Sequence, residues 1–398
     1  MTTSSLRDDA PSRVFLHIGS PKTGTTFLQQ VLWSQRGVAE AQGVHLPLNS
    51  FNDHYLASLD LRGLARPPHP PRARGMWTRL VADAERWPGT SLISHELFAA
   101  AGPEQARRAV SSFGPATEVH VVLTARDLLR QLSAEWQEHV KHRSTVRFEE
   151  FIASVRTDSA KRTGWFWRVQ DYAGILARWG ADVPPSRLHV VTVPPLGAPR
   201  GLLWERFAGL LGLDPATFDT TESRSNTSLG LEQAELLRRV NLALGDRLAL
   251  PGPYPVVVKS VLAHQVLAAR PGRPLRLAAD DVQFAADLSR RLADELADAG
   301  VDVVGSLDDL VVPEATVQDS TTQDYQVVSD TELLDETVAA LADLLVVVSQ
   351  ASERERAAVA RGEALRANPV RAALHELAER HRSLRRVERA VRRVQARR

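Results

Sequence analysis

The residues with the clearest chemical signature form a short loop, residues 19–26, with the sequence GSPKTGTT. The loop lies between a predicted apolar strand and a predicted helix. Backbone N–H groups in such a loop converge beside the positive end of the helix dipole, and together they bind anions. We therefore expect an anion site here. The residues expected to bind the anion are Ser20, Pro21, Lys22, Thr23, Gly24, Thr25 and Thr26.

The position of the lysine in this loop narrows the class of anion. Gly19 and Gly24 are spaced as in a nucleotide-binding P-loop, and Thr26 stands where that motif places its hydroxyl. Thr25 replaces the lysine that normally follows the second glycine, and Lys22 lies inside the loop instead. A lysine after the second glycine reaches the β- and γ-phosphates of a triphosphate, so its absence argues against an ATP or GTP enzyme. The pattern favours a donor with a single 5′-phosphate that carries the group to be moved.

A second candidate anion site follows the predicted strand at residues 119–123. If a helix begins near Asp127, then Arg126, Arg130 and Ser133 lie at positions i, i+4 and i+7 and share one helical face. Two guanidinium groups and a hydroxyl can bind a phosphate, each arginine in bidentate geometry. Arginines at this spacing also occur on solvated helix faces, but the neighbouring anion loop favours binding.

A third polar segment, residues 224–230, leads into a predicted helix at residues 231–241. Arg224, Asn226 and Ser228 are its candidate binding residues. Ser228 could instead cap the helix, because serine is a preferred N-cap residue. Both interpretations stay open at this point.

Strands that alternate with helices must position these residues. Apolar runs predict strands at residues 14–18, 91–94, 119–123 and 187–193. Helices are predicted at residues 25–35, 127–140 and 231–241. This alternation predicts an α/β fold, a P-loop-type doubly wound parallel sheet with helices on both faces and a C-terminal helical extension. Such sheets bind ligands at the carboxyl ends of their strands.

The composition is that of an ordinary globular protein. Of the 398 residues, 43% are apolar and 24% are charged, and the formal net charge is +1. This balance gives no reason to expect nucleic acid as a partner. The chain has no cysteine, which excludes disulfides, a thiolate nucleophile and cysteine-ligated metals. With no signal peptide and no apolar run long enough to span a bilayer, we expect a cytoplasmic protein without a membrane span.

Charge changes character in the last hundred residues. Residues 301–350 contain eleven acidic residues and no basic ones, whereas residues 380–398 contain nine arginines and one acidic residue. Within the acidic block, residues 313–330 are polar, rich in Thr, Gln and Asp and short of apolar residues, which predicts a linker. The predicted units are a flexible tail at 1–11, an α/β domain at 12–313, a linker at 314–329 and a helical extension at 330–398.

An apolar stripe marks the arginine-rich end of the chain. Leu384, Val387, Val391 and Val394 recur at helical spacing, which predicts a helix over residues 372–394. A lone helix gains little stability in water, so its stripe should pack against another surface. We expect it to fold back on the acidic segment of its own chain, with a second subunit or an anionic surface as alternatives. The extension would then be dispensable for ligand binding.

Together, the three polar segments resemble those of the P-loop sulfotransferases that use 3′-phosphoadenosine-5′-phosphosulfate (PAPS), especially their bacterial branch. The resemblance covers residues 12–312. It implies PAPS as co-substrate, adenosine 3′,5′-bisphosphate as product, and no metal. In that family a Pro-Lys-Thr-Gly-Thr-Thr loop binds the 5′-phosphosulfate, which corresponds here to residues 21–26.

The same resemblance assigns roles to the other two segments. An arginine and a downstream serine bind the 3′-phosphate in the family, which implies Arg126 and Ser133 here. Their separation is seven residues where the family usually has eight, so Arg130 is an alternative for either role. The segment at residues 224–228 matches, more loosely, a loop that lies over the nucleotide.

The implied reaction is an in-line transfer of a sulfuryl group to an acceptor oxygen or nitrogen. Lys22 would stabilise the negative charge that builds on the departing oxygen. A general base would take the proton of the acceptor, and its candidates are Glu96, which we favour, His95 and His54. Bacterial members of the family often use a carboxylate here, and the cytosolic animal members use a histidine.

The sequence indicates the acceptor molecule less clearly than the donor. A hydroxyl or amine of a carbohydrate, lipid or secondary metabolite fits the chemistry, so the expected partner is a small molecule or a glycan. The aromatic run Trp-Phe-Trp at residues 165–167 either lines an acceptor pocket or belongs to the core. The oligomeric state stays open. So do two other functions, a small-molecule kinase on the same fold and a non-catalytic nucleotide-binding scaffold.

Overall fold

Six parallel strands form one sheet in the computed structural model, which describes residues 12–221, 228–320 and 324–367. The order across the sheet is β2-β3-β1-β4-β5-β6. All four predicted strands are present, and the short edge strands β2 and β6 were missed because two or three residues are too few to show a period. The strands are β1 (Ser12–Gly19), β2 (Val44–His45), β3 (Thr90–Ser94), β4 (Thr117–Ala125), β5 (Leu188–Thr192) and β6 (Asp302–Val304).

Fourteen α-helices connect and follow these strands in the described part of the chain. They are α1 (Thr25–Ser34), α2 (Arg36–Ala41), α3 (Phe51–Leu61), α4 (Met76–Glu85), α5 (Pro103–Val110), α6 (Leu128–Lys141), α7 (Phe148–Asp158), α8 (Gly164–Gln170), α9 (Tyr172–Trp179), α10 (Leu202–Leu210), α11 (Leu231–Leu244), α12 (Ala279–Asp298), α13 (Glu314–Asp319) and α14 (Asp330–Ala367). A π-helix, Pro255–Val266, lies between α11 and α12.

Alternate residues of the strands pack into two apolar cores, one on each face of the sheet. On one face Leu16 and Val121 pack with helices α3 to α9, α11 and α12. On the other face Phe15 and Val122 pack with α1, α2 and α10. Because both faces are covered, every strand near the centre is apolar on both sides. The predicted α/β class, a doubly wound parallel sheet with a helical extension, is confirmed.

The centre of the sheet determines where the functional groups meet. Strand β1 pairs with β3 on one side and with β4 on the other, both in parallel. The carboxyl ends of the three strands therefore lie side by side. The loop at residues 19–26, Glu96 and Arg126 follow β1, β3 and β4, respectively, so the fold brings these segments to one edge of the sheet.

The chain after residue 313 is attached to this domain by both apolar and charged contacts. Val328, Leu333 and Ala340 are buried in the larger core. Arg270 forms ion pairs with Glu336 (2.8 Å) and with Asp343 (2.6 Å), both on α14. These contacts favour a domain boundary later than residue 313, and the predicted division there stays a prediction.

Parts of the predicted linker and tail can be compared with the structure. Residues 314–319 of the linker form helix α13. Four leucines of the acidic segment are the predicted contacts of the folded-back helix. Of these, Leu333 is buried in the main core, whereas Leu334, Leu341 and Leu345 are exposed on α14. The N-terminal tail at residues 1–11 and the predicted helix at 372–394 lie outside the described residues.

Truncation tests the boundary. We expect a chain that ends at Pro313 to lose about 3–6 kcal/mol of unfolding free energy, because burial of Val328 and Leu333 contributes roughly 1.5–3 kcal/mol each. A chain that ends at Ala367 keeps these contacts and serves as the control. Urea-induced unfolding of both chains gives the two free energies. Equal stability of the two chains would show that the extension begins at residue 313, as the sequence predicts.

Candidate functional site

The loop at residues 19–26, which we call the anion loop after its predicted ligand, leads from β1 into α1 with a left-handed backbone at Lys22 and Gly24. Gly24 caps α1 with a φ of 85°, and no side chain caps the first turn of that helix. The N–H groups at the start of α1 are therefore available to a ligand. Glycine is required at this position, because a Cβ on Gly24 would lie 2.5 Å from Leu203 Cδ2 in addition to the left-handed φ. Lys22 also has a positive φ, 64°, which turns the chain within the loop.

Hydrogen bonds to the neighbouring strands hold the loop in place. The Ser20 N–H donates to the Thr124 carbonyl of β4 at 3.0 Å, and the Thr23 hydroxyl donates to the Ser20 carbonyl and contacts the Thr124 hydroxyl. His17 Nδ1 lies 2.7 Å from Ser94 Oγ. Burial lowers the pKa of His17 to about 3, so the ring is neutral and has a structural role.

Helix α6 lies along the loop and presents side chains that the sequence analysis did not single out. Gln131 Nε2 donates to the Pro21 carbonyl at 2.6 Å. Two turns further along the helix, the Glu138 carboxylate forms an ion pair with Lys22. The residues Gln131, Glu135 and Glu138 follow the i, i+4, i+7 pattern of a single helical face. The sequence shows this period but not which face of α6 turns toward the loop.

Arg126 lies one side chain away from the loop. Its Nε donates to Gln131 Oε1 at 2.9 Å, and Gln131 in turn contacts Pro21. Its Nη2 donates to the Arg130 carbonyl at 3.0 Å. Burial lowers the pKa of Arg126 to about 10, which leaves the guanidinium charged near neutral pH. The structure thus brings this cation beside the anion loop.

The other two residues of the predicted phosphate clamp are placed differently. Arg130 forms an ion pair with Asp127, and its Nη1 donates to the Pro194 carbonyl at 3.0 Å. Asp127 is the N-cap of α6, so Arg126 precedes the helix rather than lying on its face. Ser133 is half-buried on the second turn of α6.

The three candidate bases have different surroundings. His54 is fully buried, with Nε2 2.9 Å from the Pro47 carbonyl and Nδ1 accepting from the Ser94 N–H at 3.1 Å. His95 is buried as well, and its Nδ1 accepts from the Leu97 N–H at 3.2 Å. Burial lowers the pKa of both histidines, that of His54 to about 4.

Glu96 touches the loop itself. Its backbone packs against Gly19 so closely that a Cβ on that glycine would lie 2.8 Å from the Glu96 carbonyl oxygen. The carboxylate oxygen Oε2 is buried and has no hydrogen-bond partner among the described residues. Glu96 therefore has two properties that a general base at this site needs: a carboxylate oxygen free to accept a proton, and direct contact with the anion loop.

Four buried polar atoms around the loop lack hydrogen-bond partners within the described residues. They are Ser20 Oγ, Gln29 Oε1, Glu96 Oε2 and Gln170 Oε1. Gln29 donates to Ser94 beside β1, and Gln170 donates to the Pro21 carbonyl, so all four atoms belong to one neighbourhood. Folded proteins leave few buried polar atoms unsatisfied. Their concentration here indicates a site for a polar ligand.

A buried carboxyl group lies under the loop. Glu135 Oε1 accepts a hydrogen bond from Gln170 Nε2 at 3.0 Å. Burial raises the pKa of Glu135 to about 7, against the opposing effect of the Lys22 charge. The folded protein therefore binds this proton more tightly than the unfolded chain does between pH 4.5 and 7.

This shift predicts a pH-dependent effect of Glu135→Gln. The pKa is higher in the folded state, so ionisation of Glu135 destabilises the protein as the pH rises through 7. Glutamine does not ionise, and the variant should exceed the wild type in unfolding free energy by about 2–3 kcal/mol at pH 8. The difference should shrink at pH 5. Urea unfolding at both pH values measures it, with the exposed Glu104→Gln as control. A constant difference at the two pH values would contradict the shift.

The third predicted segment is described only in part. Arg224 and Asn226 lie outside the described residues, and Ser228 is exposed. Helix α11 begins at Leu231 with Gly230 as its N-cap and has no side-chain cap. The interpretation of Ser228 as a helix cap is therefore wrong, because the helix starts too late for its hydroxyl to reach the first turn.

The aromatic run at residues 165–167 is mostly core. Phe166 and Trp167 are buried in the larger core, and Trp167 Nε1 donates to the Val155 carbonyl at 3.1 Å. Trp165 is exposed, with the Arg62 guanidinium 5.8 Å from its ring centre. The core interpretation holds for two of the three rings.

Comparison with known proteins adds little to this description. No family model matches the chain, and no curated protein matches it. Among solved structures, it is similar to a sulfotransferase from Alicyclobacillus acidocaldarius, with 16% identity over 58% of this chain and 93% of that chain and a TM-score of 0.35. A likeness at that TM-score does not establish the function of this chain.

Two features are absent from the described part of the chain. None of its helices combines the length and the apolar character needed to cross a bilayer. Nor do its His, Asp and Glu side chains come together in a group of three or more that could hold a metal ion.

Proposed function

We propose that the chain is a sulfotransferase that moves a sulfuryl group from PAPS to a hydroxyl or amine of a carbohydrate, lipid or secondary metabolite. The observation that carries the proposal is the anion loop with its lysine inside, at Lys22, next to the partly buried cation Arg126. A loop of this kind suits a phosphosulfate, and the nearby guanidinium suits a second phosphate. The resemblance of residues 21–26 to the PAPS-binding loop supports the same donor.

The roles proposed for the donor site follow the positions of the charges. The N–H groups of the loop and Lys22 would hold the 5′-phosphosulfate, with Ser20 Oγ as a further partner. Arg126 would bind the 3′-phosphate, with Arg130 and Ser133 as supporting residues. The segment with Arg224, Asn226 and Ser228 is proposed to lie over the nucleotide.

The proposed reaction balances with groups that this chain supplies. The acceptor oxygen attacks sulfur, the new O–S bond forms, and the bond between sulfur and the phosphate oxygen breaks. Adenosine 3′,5′-bisphosphate leaves, and Lys22 stabilises the charge that develops on its departing oxygen. Glu96 accepts the acceptor's proton as general base. His54 is a weaker candidate because both of its ring nitrogens bind backbone groups, and His95 keeps one nitrogen engaged in the same way.

Nucleotide binding separates this proposal from its alternatives. We expect adenosine 3′,5′-bisphosphate to raise the melting temperature without Mg²⁺, because a ligand that binds only the folded state stabilises it. ATP with Mg²⁺ should raise it less. A larger shift with ATP and Mg²⁺ would favour a small-molecule kinase. The absence of a shift with either nucleotide would contradict a nucleotide-dependent enzyme.

Arg126→Ala tests the proposed 3′-phosphate contact. A hydrogen bond to a charged group contributes about 1.5–3 kcal/mol, so the affinity for adenosine 3′,5′-bisphosphate should fall roughly 10–150-fold. Isothermal titration calorimetry measures the loss. Arg187→Ala is the matched control, because Arg187 pairs with Glu118 at the opposite end of the sheet. Normal nucleotide affinity in the Arg126 variant would remove this residue from the donor site.

A further inference from the structure

Lysine is rare in this chain, yet three of its four lysines meet at one place. Of the 49 basic residues only Lys22, Lys141, Lys161 and Lys259 are lysines. Glu138 forms an ion pair with Lys22 through one carboxylate oxygen and with Lys259 through the other, at 2.6 Å. Lys141 lies one turn further along α6, close enough for the charges of Lys22 and Lys259 to act on it. We call Lys22, Lys141 and Lys259 the lysine cluster.

The lysine cluster has more positive charge than its surroundings neutralise. Glu138 is the carboxylate in direct contact with it, and it serves two ammonium groups at once. The Lys141 residue is only 5% exposed, and no ion pair among the described residues includes its ammonium group. A charged side chain that is largely buried and has no anionic partner is unfavourable. Burial and the Lys22 charge accordingly lower the pKa of Lys141 to about 8.

The other titratable groups near the cluster supply little of the missing negative charge below pH 7. Glu135, one turn before Glu138 on α6, stays largely protonated there because burial raises its pKa to about 7. His142 Nε2 lies 2.7 Å from Lys259 Nζ and 3.0 Å from Glu138 Oε1. His264 lies on the same π-helix as Lys259, and partial burial of its ring, together with the charges of Lys141 and Lys259, lowers its pKa to about 4. Both histidines are bases rather than anions. The complement of the lysine cluster is therefore an external anion.

The cluster lies beyond Lys22 along helix α6. Arg126 and Pro21 contact the helix at Gln131, whereas Lys22 contacts it at Glu138, about 10 Å further on at 1.5 Å per residue. A donor that extends from Arg126 to Lys22 thus places its transferable group toward Lys141 and Lys259. The acceptor of an in-line transfer must approach from that side. Lys259 is presented by the π-helix, a rare element that is frequent at functional sites, and this helix packs against α6.

We propose that Lys141 and Lys259 form a second anion site that binds a negatively charged group of the acceptor, such as a carboxylate, phosphate or sulfate. This assignment of the acceptor class rests on the proposed sulfuryl transfer. The existence of the anion site itself rests only on the lysine cluster and can be tested without turnover.

Inorganic phosphate is the probe. Phosphate is titrated at constant ionic strength into the full chain, with and without saturating adenosine 3′,5′-bisphosphate, and its affinity is measured by calorimetry. We expect the wild type to bind phosphate in the presence of the nucleotide, which fills the anion loop. The double variant Lys141→Gln/Lys259→Gln should bind phosphate at least tenfold more weakly, with a less than twofold change in nucleotide affinity. Lys161→Gln, the lysine outside the cluster, should match the wild type.

The outcomes separate the two proposals. Equal phosphate affinity in the double variant and the wild type, or no phosphate binding by the nucleotide-saturated wild type, would overturn the second anion site. If the wild type fails to bind the nucleotide, the proposed function fails, and the nucleotide-free titration of wild type against double variant still decides the lysine site. Should the double variant not fold, Lys259→Gln alone is used, since Lys259 is half-buried and its loss also weakens the site.

Discussion

Replacing Lys22 with alanine should lower the rate of sulfuryl transfer by about 10²–10³-fold while the protein stays folded. The loss corresponds to about 3–4 kcal/mol, the typical cost of removing one charge-stabilising donor from the transition state. Lys22 lies in the anion loop, where it would face the departing oxygen of the donor. The measurement is turnover of radiolabelled PAPS at saturating donor. Lys161→Ala, which removes the lysine outside the cluster, is the control and should leave turnover unchanged.

The same variant has a structural consequence that checks its interpretation. Without Lys22, Glu138 keeps Lys259 as an ion-pair partner, so its carboxylate is not left unpaired in the interior. We therefore expect little loss of melting temperature. A folded Lys22→Ala protein with wild-type turnover would exclude this lysine from the mechanism.

Replacing Glu96 with glutamine should lower turnover by roughly 10²–10⁴-fold, the range attributed to general base catalysis. Glutamine keeps the size of the side chain and its contact with Gly19, but it cannot accept the acceptor's proton. The affinity for adenosine 3′,5′-bisphosphate should stay the same, because Glu96 is assigned to the acceptor and not to the nucleotide. Steady-state kinetics and calorimetry on the same preparation measure both quantities.

Glu104→Gln serves as the matched control, since Glu104 is an exposed glutamate that follows the same strand at the start of α5. Its turnover should equal that of the wild type. If Glu96→Gln retains full turnover, the base lies elsewhere, and His95 becomes the next candidate because it is adjacent to Glu96 and keeps Nε2 outside the hydrogen bond to Leu97.

The sequence was sufficient to predict the parts of the candidate site that depend on local order. A buried strand followed by residues 19–26 and a helix can be recognised from consecutive residues, because strand, loop and helix each have their own local pattern. Arg126 is a candidate for the same reason, because it lies directly after a strand. The parallel sheet then brings these segments together, as the alternation of elements predicted.

The residues that escaped prediction depend on contacts distant in the chain. Glu135 and Glu138 have the same helical period as any amphipathic helix, and nothing in that period shows which face turns to the loop. Lys259 lies on a π-helix with no recognisable sequence pattern, far along the chain from Lys22. Lys22 and Lys259 contact the same Glu138 carboxylate only in the folded protein. The sequence indicates a special role for them only because lysine is rare in this chain.

The last part of the chain shows a second limit of local patterns. Composition alone separated the acidic segment after residue 313 from the α/β domain. The structure buries Val328 and Leu333 in the main core and pairs Arg270 with Glu336. Docking of α14 combines buried apolar side chains with ion pairs to Arg270, and an acidic composition alone reveals neither.

Transfer of label from ³⁵S-labelled PAPS is the measurement that tests the central claim most directly. The full chain is incubated with the labelled donor and with a cell extract that supplies acceptor compounds. The label is then followed from the donor into these compounds. We predict that the wild type transfers the label without added Mg²⁺ and that Lys22→Ala does not. Label that stays in the donor with both proteins, while ATP and Mg²⁺ stabilise the wild type, would contradict the proposed sulfuryl transfer.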